Sequence, residues 1–142
     1  MKNLADSHLV ACGLATGHRD SPWLSVGDPI QIPGRDIVLA RSLKNQGAHG
    51  FWETNIFQFR PRAVFVGFPL EHQVFTEVFG PIDYYPTPDL LTLARVIGGA
   101  ALFIGNVSLP HALAEGMKKQ MLVEYDRNHC PVVFTRLGVT YV

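Results

Sequence analysis

The sequence is poor in cysteine and in net charge, and each shortage excludes a class of protein. Its two cysteines, Cys12 and Cys130, are too few for a disulfide framework, so a reducing compartment such as the cytoplasm is the default expectation. The 12 Lys and Arg residues balance the 12 Asp and Glu residues, which makes the formal net charge zero. Without a broad basic surface, binding to nucleic acid is not expected.

Long apolar runs are lacking as well. The longest, residues 96–104, contains two glycines and falls well short of the roughly 18 apolar residues that a membrane-spanning helix needs. The first six residues do not contain the apolar stretch of a secretory signal peptide. We therefore expect a cytoplasmic protein without a membrane span.

Sequence motifs for common cofactors and metals are absent too. The chain has no glycine-rich phosphate loop of the Walker type, no G-x-S-x-G nucleophile turn and no G-x-G-x-x-G after the first predicted strand. Its histidines and cysteines do not have the spacing of a zinc site. These absences predict no metal and no cofactor, and no residue stands out as catalytic.

What the chain does have is apolar content and a regular order of elements. With 142 residues, of which 47% are hydrophobic, it is expected to form one globular domain. Residues 1–35 carry many turn-forming glycines and prolines after a short predicted helix at 4–14, and we interpret them as an irregular lead-in or the remnant of a preceding domain. Residues 36–142 follow a different pattern.

In residues 36–142, short apolar runs alternate with helical patterns at intervals of about 20 residues, which is typical of parallel sheets. We predict a three-layer, Rossmann-like α/β domain with about five parallel strands. Thr87 is the expected N-cap of the clearest helix, with Pro88 in its first turn. Segment 41–59 is interpreted as a mixed loop with room for one helical turn. The predicted helices are 70–79, 88–97 and 109–117; the predicted strands are 37–40, 63–67, 82–85, 101–105 and 121–125, followed by late strands or a covering tail at 132–135 and 139–141.

Ligands of open α/β sheets bind beyond the carboxyl ends of the strands, so the strand exits hold the candidate site residues. The most suggestive exit is residues 105–111, hereafter the 105–111 turn. Gly105 permits a close backbone approach, Ser108 is a possible cap, and the start of the following helix offers N–H groups to an anion. The same pattern fits a structural helix with a packed histidine, and both interpretations stay open. The candidate residues are Arg41, Ser42, Gly67, Gly105, Asn106, Ser108, His111, Glu115 (a possible partner of His111) and Glu124.

Two stretches, 87–97 (TPDLLTLARVI) and 101–116 (ALFIGNVSLPHALAEG), carry a resemblance to a known family. They resemble the C-terminal, nucleotide-sugar-binding half of family 9 glycosyltransferases, which are heptosyltransferase-like enzymes of the GT-B fold. Asn106 matches the position of an acidic residue, Ser108 lies near that of a glycine, and His111 matches the family histidine. The resemblance implies half of a GT-B fold, with the diphosphate of a nucleotide-sugar donor on the 105–111 turn.

Two functional hypotheses follow. In the first, the chain is a glycosyltransferase-like domain that binds a nucleotide sugar, and helix N–H groups, His111 and Arg41 stabilise the leaving diphosphate without a metal. A second domain or a second copy of the chain would complete the cleft. In the second, the fold is kept but the chain is a non-catalytic binding or assembly module, because Asn106 replaces the family carboxylate and the glycine is missing.

Overall fold

The computed structural model describes residues 4–16, 20–47, 50–126 and 133–142. Within these ranges the chain forms five strands and five α-helices, and a short 3₁₀ turn at Arg60–Arg62 leads into the second strand. The strands are β1 (Ile37–Ala40), β2 (Ala63–Phe65), β3 (Leu102–Asn106), β4 (Gln120–Glu124) and β5 (Val139–Tyr141). The helices are α1 (Leu4–Ala11), α2 (Gly50–Phe59), α3 (Pro69–Phe79), α4 (Leu90–Gly99) and α5 (Leu109–Gly116).

The sheet is parallel throughout, with strand order β2-β1-β3-β4-β5. One apolar core packs α4 and α5 against one face of the sheet, and a second core packs α2 and α3 against the other. This arrangement confirms the predicted three-layer, Rossmann-like fold with five parallel strands. The order of the strands reverses between β1 and β3, which makes that pair the switch point of the sheet.

The apolar run of β1 explains its central position. Ile37 and Leu39 belong to the core on one face, whereas Val38 and Ala40 belong to the core on the other. All four residues are buried, as a strand covered by helices on both faces requires.

The strands of the sheet differ from the prediction in one place. The segment 82–85 is not a strand, because it makes only an isolated parallel bridge between Tyr84 and Phe65. Pro81 and Pro86 enclose this segment and cannot donate ladder hydrogen bonds, which limits its length. β5 is the fifth strand instead. Of the other late segment, Val132 lies outside the described residues and 133–135 forms no strand.

Two helix predictions also need correction. The 41–59 segment contains the ten-residue helix α2, whose Trp52 and Ile56 lie one turn apart and are buried together. The glycines and the other aromatic residues of this segment obscure the helical spacing of these two residues in the sequence. Helix α4 begins at Leu90, because the Asp89 carboxylate rather than Thr87 accepts the first-turn hydrogen bond, from Thr92 N–H at 2.7 Å. Pro88 therefore precedes the helix.

The lead-in packs against α4 and α5, the two helices that cover one face of the sheet. Ile30 N–H donates to Arg95 O at 2.9 Å, and Trp23 and Leu24 N–H both donate to Gly116 O at 3.0 Å. At Gly99 a side chain would meet Ile30 O at 2.0 Å, so the absence of a Cβ there allows the lead-in to lie against α4. Within the described ranges, no helix combines the length and the apolar content needed to cross a membrane.

Candidate functional site

A cleft of about 430 Å³ lies beyond the carboxyl ends of β1, β2 and β3. We call it the switch-point cleft, because it opens where the strand order reverses, the usual ligand position in such sheets. Its lining residues share one origin, since they come from the three strand exits and from the starts of the helices α3, α4 and α5. They are Ala40, Ser42, Lys44, Asn45, Gly67, Phe68, Glu71, Thr87, Pro88, Asp89, Leu90, Leu93, Val107, Ser108, Leu109 and Pro110.

Three helices begin at this cleft, but a carboxylate accepts a backbone hydrogen bond at the start of only two of them. Glu71 accepts from Phe68 N–H at 2.9 Å at the start of α3, and Asp89 caps α4. The hydrogen bond from Thr92 N–H is the main cause that holds the pKa of Asp89 below its usual value. At the start of α5, by contrast, Ser108 donates its hydroxyl to Asn106 O at 3.0 Å and does not cap the helix. The positive end of α5 therefore has no side-chain acceptor from its cap residue.

Phe68 is an aromatic side chain that sequence reasoning missed. Its exposed fraction is 74%, yet the preceding backbone is tightly held. Gly67 has a φ of 123°, which favours glycine, and its carbonyl accepts from Tyr84 Oη at 2.9 Å. The position of Phe68 directly after Gly67, the glycine at the strand exit, is the sequence signal that could have identified it.

Lys44 is the second residue that sequence reasoning missed. It is exposed, it follows the exit of β1, and it carries the only basic side chain among the described residues that line the cleft. The lining carboxylates, Glu71 and Asp89, are both engaged at helix starts. Lys44 thus provides the positive side-chain charge with which an anionic ligand in this cleft would interact.

Arg41 and Glu124, both predicted as ligand-binding residues, are brought together by the structure but face inward. Arg41 Nε lies 2.7 Å from Glu124 Oε2, and the Nη2 atom lies 2.8 Å from Oε1. Trp52 Nε1 also donates to Glu124 Oε2, at 2.7 Å. With exposed fractions of 3% for Arg41 and 1% for Glu124, this bidentate pair joins the ends of β1 and β4 beneath the surface.

Asn106 and Gly105 are likewise buried. The Asn106 side chain is bonded to the backbone of residues 42 and 44. A Cβ at Gly105 would lie 2.4 Å from Ala40 O, so this glycine allows β3 and β1 to approach each other. The close approach that sequence reasoning expected for a ligand is made by a neighbouring strand.

His111 packs on the side of α5 that is turned away from the cleft. Its exposed fraction is 2%, and its Nε2 atom lies 3.4 Å from Tyr141 Oη. Burial is the main cause that lowers the pKa of His111 to about 4; Glu115 opposes this effect and Arg136 adds to it. The ring is therefore neutral at pH 7.

Glu115, expected as a partner of His111, binds two cations. It accepts from Lys118 Nζ and from Arg136 Nε, the latter at 2.9 Å. Lys118 and Arg136 hold this buried carboxylate at the end of α5, and Glu115 is not among the residues that line the switch-point cleft. Of the nine predicted site residues, the cleft is lined by Ser42, Gly67 and Ser108.

Metal chemistry has no support in the part of the chain that the structure describes, because no group of three or more His, Cys, Asp or Glu side chains there is arranged to hold an ion. Comparisons with protein-family models, with curated proteins and with solved structures found no match. The function is therefore inferred from the residues of the cleft and from the topology of the sheet.

Proposed function

We propose that the chain is a glycosyltransferase-like domain that binds the nucleoside diphosphate of a nucleotide sugar in the switch-point cleft. The observation that carries this proposal is the convergence of three features in one cleft. They are the start of α5, where the side chain of the cap residue accepts no hydrogen bond, the basic Lys44, and the exposed ring of Phe68. The resemblance of residues 87–97 and 101–116 to the donor half of family 9 glycosyltransferases points to the same ligand.

The diphosphate would lie at the start of α5. The helix dipole and the first-turn N–H groups favour negative charge there, and the Ser108 hydroxyl does not accept a hydrogen bond from them. Lys44 lines the same cleft and adds a full positive charge. Together they offset the two carboxylates of the cleft, Glu71 and Asp89, which are engaged at the starts of α3 and α4.

The base or the sugar would lie against Phe68. A ring that is largely exposed leaves apolar area in contact with water, and stacking a flat ligand on it recovers that area. The neighbouring wall is apolar as well, with Leu90, Leu93 and Leu109 in the lining. Stacking accepts any base, so the identity of the nucleotide is left to experiment.

Binding is better supported than independent catalysis. His111 and Arg41, expected to stabilise the leaving diphosphate, are buried and engaged with Tyr141 and Glu124. Both side chains of the cleft that could act as a base are helix-capping carboxylates. We therefore expect the group that activates an acceptor to come from a second domain or a second copy of the chain.

Calorimetric titration with UDP, GDP, ADP and CDP tests the proposal. We expect one of the four to bind and Phe68→Ala to weaken that binding by about tenfold, which corresponds to the loss of one stacking contact. Phe57→Ala is the matched control, because Phe57 is also largely exposed, at 69%, but lies on α2 outside the cleft. Failure of all four nucleotides to bind the folded wild-type chain would remove the proposal.

A second candidate function, an assembly module, is favoured by the apolar rim of the cleft. Phe68, Leu90 and Leu109 all expose large apolar side chains there. Covering such a patch with another protein surface would be favourable. Light scattering at high protein concentration distinguishes the two: a dimer that Leu109→Glu dissociates would support assembly, and a monomer at all concentrations would reject self-assembly.

A further inference from the structure

Asn106 is fully buried, with an exposed fraction of 0%, and its side chain is used by the loop that follows β1. Its Oδ1 atom accepts from Ser42 N–H at 2.9 Å. Its Nδ2 atom donates to Ser42 O at 2.9 Å and to Lys44 O at 2.7 Å. The amide thus satisfies one backbone donor and two backbone acceptors of the same loop.

Only an amide of this size can make these three bonds at once. A carboxylate accepts but does not donate, so an aspartate at this position would direct negative charge at two carbonyl oxygens in a buried place. An alanine would leave the Ser42 N–H and both carbonyls without this partner. The replacement of the family's acidic residue by Asn106 therefore has a physical consequence for the loop.

The loop held by Asn106 forms one wall of the switch-point cleft, since Ser42, Lys44 and Asn45 all line it. A second side-chain hydrogen bond holds the same wall in place, because Asn45 Nδ2 donates to Val107 O at 3.0 Å. Asn45 has a φ of 54°, a left-handed conformation that asparagine tolerates. Two asparagines thus connect residues 42–45 to the 105–111 turn.

We propose that Asn106 is a positioning residue, which holds residues 42–45 as a preformed wall so that Lys44 is in place before a ligand arrives. This inference rests on the proposed function of the cleft and deepens it. A wall that must first be ordered reduces the apparent affinity by the fraction of molecules in which it is ordered. The role of Asn106 is therefore indirect, through the backbone of Ser42 and Lys44 rather than through contact with the ligand.

Amide hydrogen exchange without any ligand tests the first half of the inference. In Asn106→Asp and Asn106→Ala, we expect the amides of residues 42–46 to exchange at least tenfold faster than in the wild type, with β3 and α5 still protected. The matched control is Asn55→Asp, because Asn55 donates only within α2, to Phe51 O at 2.8 Å. Unchanged exchange of residues 42–46 in both Asn106 variants would overturn the proposal.

Titration with UDP, GDP, ADP and CDP tests the second half. The Asn106 variants should bind the preferred nucleotide at least tenfold more weakly, and that nucleotide should slow exchange of residues 42–46 far more in the variants than in the wild type. A purely structural role would not give this ligand-dependent reordering. Faster exchange with unchanged affinity would overturn the positioning role while the proposed function stands.

Failure of the wild type to bind any of the four nucleotides would overturn both proposals, although exchange would still report whether the amide holds the loop. If both Asn106 variants fail to fold, Asn45→Gly tests the wall from its other end. Glycine permits the same backbone conformation and removes the bond to Val107 O. The three Asn106 bonds remain in this variant, so we expect residues 42–46 to exchange less than tenfold faster than in the wild type; a larger acceleration would assign the wall to Asn45 and overturn the proposal.

Discussion

The 105–111 turn has two sides, and they differ in what they contact. One side faces the switch-point cleft with Val107, Ser108 and Pro110, among small and apolar groups. The other side faces the interior, where Asn106 and His111 are buried beside polar partners. The residues with the most distinctive chemistry are therefore on the side that a ligand in the cleft does not reach.

This difference shows that a motif names residue types but not the direction in which each side chain points. Polar residues in parallel sheets are expensive to bury, and each one here has a partner that offsets the cost, as in the Arg41–Glu124 pair. The inward side consequently contributes to rigidity, whereas the outward side is free to bind. Substitutions on the two sides should therefore act on different quantities.

The largest effect is expected from Glu124→Gln on the inward side. It leaves the buried Arg41 guanidinium without its counter-charge, so the free energy of unfolding should fall by about 3–5 kcal/mol in urea titrations. Asp36→Asn, which breaks the exposed pair with Arg62, is the matched control and should leave the unfolding midpoint nearly unchanged. Equal losses from the two substitutions would remove the distinction between buried and exposed pairs.

A pH dependence of stability is the next expected effect. The folded-state pKa of His111 is about 4 against an ordinary 6.5, so the unfolded chain binds the extra proton between these values. Stability should decrease as the pH falls from about 6.5 to 4, by on the order of 3 kcal/mol from this residue. His111→Gln should flatten the pH profile of the unfolding free energy over that range. A variant that keeps the wild-type slope would show that other groups cause the dependence.

Gly105→Ala should have a smaller effect, through steric overlap between β3 and β1. The added methyl group would lie 2.4 Å from Ala40 O, so the strands must separate, at a cost of about 1–3 kcal/mol in the free energy of unfolding. Gly27→Ala is the control, because nothing lies within 4 Å of its added Cβ. Thermal unfolding of both variants measures the difference, and similar melting temperatures would argue against close packing at Gly105.

The smallest effect on stability is expected on the cleft side, from Ser108→Ala. The hydroxyl donates to Asn106 O and does not cap α5, so its removal should cost less than about 1 kcal/mol. Chemical denaturation measures this cost. A loss as large as that of Gly105→Ala would mean that the hydroxyl supports the helix start, and the two sides of the turn would then not differ as described.

Much of the fold could be predicted from local patterns. The apolar run 37–40 and the helical period of 70–79 depend on residues close in sequence, and both elements appear near the predicted positions. Helix α2 was missed because Trp52 and Ile56 are buried by partners far away in the chain, such as Phe75. The segment 82–85 was mistaken for a strand because aromatic residues favour strands wherever they occur.

The sequence alone determined the class of fold and the strand exits at which a site belongs, since alternating apolar runs and helices leave few ways to bury both faces of a sheet. Only the tertiary structure decided the direction of each side chain at those exits. Arg41, Asn106 and Glu124 turned inward because partners distant in the sequence satisfy their hydrogen bonds there. Phe68 and Lys44 remain exposed, because they lie at a cleft between the starts of three helices and their side chains do not fill it.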